Sequence, residues 1–335
     1  MNIVYNCNDA YAVHTAASMA SLFENNKDAD CIAVYILGNG ISDESGKRFS
    51  DLAAGYSSAE RLRSAEVIDL NDYANLLKVL FGGSVDAGSF DITVLARLFA
   101  PMHLPDSVER YLYLDADTTV LKNISGMYDM PLDSAVCAMA AEPTIYEATR
   151  ESLGISSDMP YFNSGVILVD RLRWEKEQIT GKCIDFYTSI GRKGLNFPDQ
   201  DILNYVLKGR IKALRQEYNF FSNYHYRSYK SLVSQAKWYG GIIGKADYET
   251  ARKSPAVVHY AGAERPWYKG NRNPYRQEYK RYLELTPWRG TKEQPGHEIY
   301  MLMYHCMNLV TAVCPWIRQL ISVMYLSFRY NRKLQ

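Results

Sequence analysis

Short apolar runs enriched in β-branched and aromatic residues recur along the first half of the chain. They are Ile3-Val4-Tyr5, Cys31 to Leu37, Ala65 to Asp69, Tyr111 to Leu114, Ala135 to Met139 and Gly165 to Val169. Turn residues bound each run, and the intervals carry helical spacing; Ala16, Met19, Ala20 and Phe23 fall at i, i+3, i+4 and i+7. Strands alternating with helices predict an α/β fold, with a largely parallel sheet covered on both faces.

The pattern changes after Tyr275. Residues 275 to 298 are polar and rich in Arg, Lys, Glu and Pro, whereas Ile299 to Ile317 contains no Asp, Glu, Lys or Arg. Residues 1–275 are therefore expected to form the main domain, and residues 276–335 a basic, apolar, helical tail. His305, Asn308, Thr311 and Pro315 interrupt the apolar stretch, so a membrane span is a poor reading. Apolar faces with basic flanks (Arg318, Arg329, Arg332 and Lys333) point instead to peripheral contact through 297–335 with an anionic membrane. The alternative is a helix that packs back on the domain or on a second subunit.

Composition narrows the partners. The chain has 335 residues, 47% of them hydrophobic and 22% charged, and a net charge of +1, which gives no electrostatic reason to expect nucleic acid. Six cysteines without Cys-x-x-Cys spacing argue against a zinc site or a disulfide framework and read as buried free thiols. MNIVYNCNDAYAV has no basic n-region followed by an apolar run, so a cytoplasmic protein is expected, peripheral on the inner face of the cytoplasmic membrane.

Three Asp-x-Asp pairs are candidates for a cation site: Asp28/Asp30, Asp115/Asp117 and Asp199/Asp201. Ligands of open α/β sheets gather beyond the carboxyl ends of strands. Asp115 and Asp117 follow the run YLYL and stand at that edge; Asp28 and Asp30 precede their strand and read as a solvated turn. Hard cations such as Mg²⁺ or Mn²⁺ favour such carboxylate oxygens. In VVHYAGAERPW, His259 follows an apolar segment, Gly262 permits close backbone approach and Arg265 offers a cation that matches phosphate. In FPDQDIL, Pro198 and Asp199 read as a helix start with Asp199 as N-cap. The chain has neither a Gly-x-Gly-x-x-Gly after its first strand nor a P-loop motif.

NCNDAY, ITVLARLFAP, YLYLDADTTVLKN, YFNSGVILVD, PDQDIL and HYAGAERPW, in this order, resemble the retaining glycosyltransferases of family 8, from Met1 to about Trp267. That resemblance implies a GT-A, Rossmann-like fold, with transfer of galactose or glucose from a UDP-sugar to a glycan or glycolipid such as lipopolysaccharide. Asp115, Asp117 and His259 would hold Mn²⁺ (or Mg²⁺) against the diphosphate, with Ala116 between the two carboxylates. Asn6, Asn8, Asp9 and Tyr11 would line the uridine pocket. Arg97, on a helix ITVLARLF, would reach the donor sugar or its phosphate, and Gly262 and Arg265 would close over the diphosphate. Asp199 and Gln200 would sit by the reacting face of the sugar, while Asn163 and Glu142 would contact donor hydroxyls or the acceptor. Asn8 stands where many members have Asp, Arg265 where they have Lys, and Ala10 where a polar residue is common. The rivals are a glycogenin-like primer protein, suggested by 27 tyrosines, and a sugar nucleotidyltransferase.

Overall fold

β1 (Asn2–Asn8) lies inside a seven-stranded sheet, flanked on one side by β2 (Cys31–Asn39) and then β3 (Leu62–Asp69), and on the other by β4 (Arg110–Leu114). These four strands are parallel. β7 (Phe162–Asp170) then runs antiparallel to β4, β6 (Cys137–Ala141) antiparallel to β7, and β8 (Ile211–Leu214) parallel to β6. The fold is thus mixed and mainly parallel. Each of the six apolar runs lies wholly or largely within a strand. The structure is a computed structural model that describes residues 1–321 apart from 71, 89, 193, 263 and 319. Arg329, Arg332 and Lys333 of the expected basic tail lie outside the described residues.

Period-two alternation divides the core between the faces. Ile3, Tyr5, Leu112 and Leu114 pack on one side with Ala16, Met19 and Phe23; Val4, Tyr111 and Tyr113 pack on the other with Leu98, Ile202 and Leu203. The helix Ala12–Asn25 is buried on more than its sheet-facing stripe because Arg276–Leu283 lies across it. His14 Nδ1 and the Tyr279 hydroxyl are 2.7 Å apart, and Asn25 Nδ2 donates to the Tyr282 hydroxyl at 2.8 Å.

A small second sheet, β5 (Thr118–Val120), β10 (Val257–His259) and β9 (Phe220–Phe221), carries chemistry to the carboxyl edge. Strand reversal brings more. Because β7 opposes β4, its beginning at Asn163, Ser164 and Gly165 lies beside the end of β4, where the Asp115 N–H donates to the Gly165 carbonyl at 2.8 Å. β6 runs parallel to β4 and ends at Ala141, which delivers Glu142 to the same edge.

The helix expected over ITVLARLF forms as a 3₁₀ helix, Ile92–Leu98, started by Asp91, whose side chain accepts from Thr93 N. Two local readings needed correction. Phe197, not Asp199, occupies the N-cap position of Pro198–Val206, and Asp201 accepts from the Asn196 and Phe197 N–H groups, both at 3.0 Å. Asp199 is thereby free to face the site. The cysteines are all free, but only Cys7, Cys137 and Cys183 are buried; Cys31 and Cys306 are exposed.

The helix Glu298–Val313 packs back on the domain in an unusual sense. Its buried positions are Met301, His305, Asn308 and Thr311, so the polar residues that interrupt the apolar stretch are its inward face. Leu302, Met303, Leu309 and Val313 face outward, Leu309 at 66% exposure against 8% for His305. No helix among the described residues is long and apolar enough to cross a membrane.

Candidate active site

Asp115 and Asp117 follow β4 directly, and β10 pairs antiparallel with β5 so that His259 stands opposite Thr118. Asp115 Oδ2 and Asp117 Oδ1 lie 3.5 and 3.2 Å from His259 Nε2. Each carboxylate divides its oxygens. Asp115 Oδ1 accepts from Arg97 Nη2 at 2.7 Å and the Tyr113 hydroxyl at 3.0 Å, and Asp117 Oδ2 is paired with Arg265. The two remaining oxygens turn toward the imidazole.

A chain of amides fixes what the imidazole offers. The Gly165 N–H donates to Asn163 Oδ1 at 2.9 Å, so Asn163 Nδ2 is the donor to Glu142 Oε2 and Gln200 Oε1, at 3.0 and 2.7 Å. The same Asn163 Oδ1 accepts from Asn219 Nδ2 at 2.8 Å, which leaves Asn219 Oδ1 facing His259 Nδ1 at 3.0 Å. His259 therefore carries its proton on Nδ1 and presents a lone pair at Nε2. Burial pushes its pKa down, which favours the neutral ring.

Three lone-pair-bearing atoms converge with no proton among them, an arrangement able to hold a cation. Two carboxylate oxygens and one imidazole nitrogen, within 4.8 Å of one another, fit Mn²⁺ or Mg²⁺. The space has been kept open by sequence: a Cβ on Gly165 would stand 2.7 Å from His259 Nδ1 and 2.8 Å from Asp115 Oδ2. Here the glycine serves close approach.

Arg97, 8% exposed, joins this cradle to a second group of residues. Its Nε lies 3.1 Å from Asp199 Oδ2, and its Nη1 donates to the Ser164 carbonyl at 2.6 Å. Burial works against the cation, yet Asp115 and Asp199 more than offset it, and the net shift is upward. Asp199 and Glu142 are themselves pushed up by burial, the first opposed by Arg97, the second by hydrogen bonds from Asn163 and Gln200. Gln200 is fully engaged: its oxygen accepts from Asn163 and from Ser164 N, and its Nε2 donates to Glu142 and the Tyr161 hydroxyl.

At the end of β1, Asn6 donates to the Thr93 carbonyl while its Oδ1 is buried without a partner. Asn8 caps the turn Asp9–Tyr11 through Tyr11 N, and Asp9 Oδ1 accepts from Ser42 N and Oγ at 3.0 and 2.9 Å. Tyr11 meets Trp267 edge-on, and Trp267 stacks on His14 with centroids 3.6 Å apart. Gly262, at φ +88°, makes the left-handed turn that returns the chain to Arg265. Sequence reasoning missed Asn219, Tyr161 and Gly165; an Asn before Phe-Phe carries no local signal, whereas Asn-Ser-Gly at a strand start could have marked the glycine.

A mainly parallel α/β sheet with a cation cradle at its carboxyl edge is the architecture of a GT-A glycosyltransferase. Residues 2–270 match Glycosyl transferase family 8. The chain is 27% identical over 290 residues to General stress protein A of Bacillus subtilis, spanning 86% of this chain and 94% of the relative. It is 28% identical over 246 residues to a lipopolysaccharide 1,2-glucosyltransferase of Escherichia coli K12, 71% of this chain and 67% of the relative. It is also 24% identical over 304 residues to a lipopolysaccharide 1,3-galactosyltransferase of Salmonella typhimurium, 86% of this chain and 79% of that protein. Among solved folds, the galactosyltransferase LgtC, crystallised with donor and acceptor sugar analogues, superposes with a TM-score of 0.69 at 22% identity, covering 86% of this chain and 96% of that one. The chain belongs to glycosyltransferase family 8 and is a hexosyltransferase.

Proposed function

We propose that the enzyme moves galactose or glucose, with retention, from a UDP-hexose to a saccharide acceptor of the lipopolysaccharide or cell-surface glycan type. The convergence of Asp115, Asp117 and His259 lone pairs carries this reading, because it fits a divalent cation and, through it, a diphosphate leaving group. Asn6, with its unpartnered oxygen, and Asn8, Asp9 and Tyr11 form the nucleoside side.

Cleavage of the bond between the anomeric carbon and the diphosphate oxygen leaves negative charge on UDP. Asp115, Asp117 and His259 would hold a divalent cation, which when bound would supply Lewis-acid neutralisation of that charge. Arg265, on the far oxygen of Asp117, adds a second positive group. A double displacement needs a free carboxylate beneath the sugar. Gln200 is a poor nucleophile and is already bound at both ends of its amide, and the Asp199 charge is held by Arg97. Front-face substitution follows: the acceptor oxygen bonds to the anomeric carbon as the diphosphate leaves, and the acceptor proton passes to the departing phosphate oxygen. Asp199, Asn163 and Glu142 orient the sugar. Ten tyrosines among the described residues are less than 2% exposed, so packing accounts for much of the Tyr content and a self-glycosylating primer gains no support from it.

A panel of UDP-sugars with Mn²⁺ should give UDP release with one hexose in strong preference, abolished by EDTA and restored by added Mn²⁺. Release that is indifferent to EDTA would refute the cation reading.

The outward stripe of Glu298–Val313 supports peripheral membrane contact. An apolar side chain of this size contributes about 1.5–3 kcal/mol when fully buried. Leu302→Glu with Leu309→Glu should therefore lower binding to vesicles containing phosphatidylglycerol by about tenfold or more in co-sedimentation. Unchanged partitioning would remove the membrane from this reading.

A further inference from the structure

Glu264 sits one residue before Arg265 and is fully buried, with 0% exposure. A buried carboxylate is costly unless donors surround it. Here they come from two parts of the chain. Asn273 Nδ2 donates to Oε2 at 3.0 Å, and Asn308 Nδ2, on the inward face of Glu298–Val313, donates to Oε1 at 3.1 Å. His305 Nδ1 lies 3.5 Å from the same Oε1, while its Nε2 accepts the Arg272 N–H at 2.8 Å. Arg318 Nη1 donates to Asn308 Oδ1 at 2.8 Å and completes the set from the helix side.

The other side of Glu264 leads to the active site. Asn273 N donates to Asn271 Oδ1 at 2.7 Å, and Asn271 Nδ2 donates to the Arg265 carbonyl at 2.7 Å, closing a ring of contacts around the turn. From that turn the Arg265 side chain reaches the Tyr260 carbonyl at 2.8 Å and the Asp117 carboxylate. One carboxylate thus ties the seat of the C-terminal helix to the guanidinium beside the cation cradle. Burial pushes the Glu264 carboxyl up to about 7, opposed by Asn273, Arg318 and Asn308.

We propose that Glu264 is a positioning residue for donor binding: it fastens the turn that carries Arg265 to Glu298–Val313, so that the seating of this helix sets where the guanidinium stands. The proposal rests on Arg265 acting on the diphosphate.

Titration of the full-length enzyme with UDP in Mn²⁺ tests it. Glu264→Gln keeps the shape but turns an amide N–H toward a donor, and should raise the Kd for UDP about tenfold; Asn308→Ala should raise it about threefold. The donor KM should rise with them and kcat should fall as well, because Arg265 also faces the charge that develops on the leaving diphosphate. Glu264→Gln combined with Arg265→Ala should bind no more weakly than Arg265→Ala alone, because both act through one group. Parental affinity in Glu264→Gln, or a double variant weaker than Arg265→Ala by the full single-variant factor, overturns the proposal. Parental affinity in Arg265→Ala overturns the diphosphate reading and the proposal with it. Should Glu264→Gln not fold, the Asn308→Ala and Arg265→Ala pair decides by the same comparison.

Discussion

Asp117→Asn is expected to lower kcat on the order of 100-fold or more, by analogy with loss of one preorganised group facing a developing charge. Asparagine keeps the volume and leaves β5 and β10 paired, so the loss should appear with the fold intact. Two effects act together. The oxygen that faces His259 at 3.2 Å loses its charge, and the atom opposite Arg265 no longer repays that cation for its confinement. Free Mn²⁺ measured by electron paramagnetic resonance should show weaker metal uptake in the same preparation. Turnover within threefold of the parent would exclude Asp117 from the site.

Gly165→Ala should cost about as much for a different reason. It changes no charge and no ligand, and Gly165 is not among the glycines with positive φ, so alanine is compatible with its backbone. Its Cβ would press on the His259 ring and stand 2.8 Å from Asp115 Oδ2. Neither neighbour can yield freely: Asn219 and the pairing of β10 with β5 hold the ring, and Arg97 and Tyr113 hold the carboxylate. Relief must open the cradle, with a loss of kcat of roughly 100-fold and weakened Mn²⁺ binding. Parental Mn²⁺ affinity in Gly165→Ala would show that the ring can move aside at little cost.

The two predictions differ in how legible they were. Asp115 and Asp117 were separable from Asp28 and Asp30 because they directly follow the apolar run Tyr111 to Leu114 that marks β4, whereas Asp28 and Asp30 precede β2. β5, β8, β9 and β10 span two to four residues each, too short to declare a period, and β5 with β10 decides that His259 meets Asp117. The reversal of β7 was also hidden, since VILV reads alike in either direction; it places Asn163 and Gly165 at the edge where parallel strands end. Asp199 and Asp201 were misjudged at the level of one turn: both lie at a helix start, and only the fold shows that Asp201 takes the backbone N–H groups while Asp199 turns to Arg97. The C-terminal helix was read by its apolar majority. His305 and Asn308 acquire their meaning only from Glu264, far away in sequence.

The sulfurs of this chain make an unplanned pair of reporters. Burial shields Cys7, Cys137 and Cys183 and pushes their thiols up, the first two to about 12. Cys306 is exposed on the stripe of Leu302, Leu309 and Val313, and Cys31 is exposed at the amino end of β2, at the sheet edge opposite the cradle. A maleimide dye on Cys306 would sit where lipid is expected and one on Cys31 would remain in water. With Cys314, partly exposed, changed to Ser, the emission of the two labels read against each other would give the orientation of the enzyme at a vesicle surface.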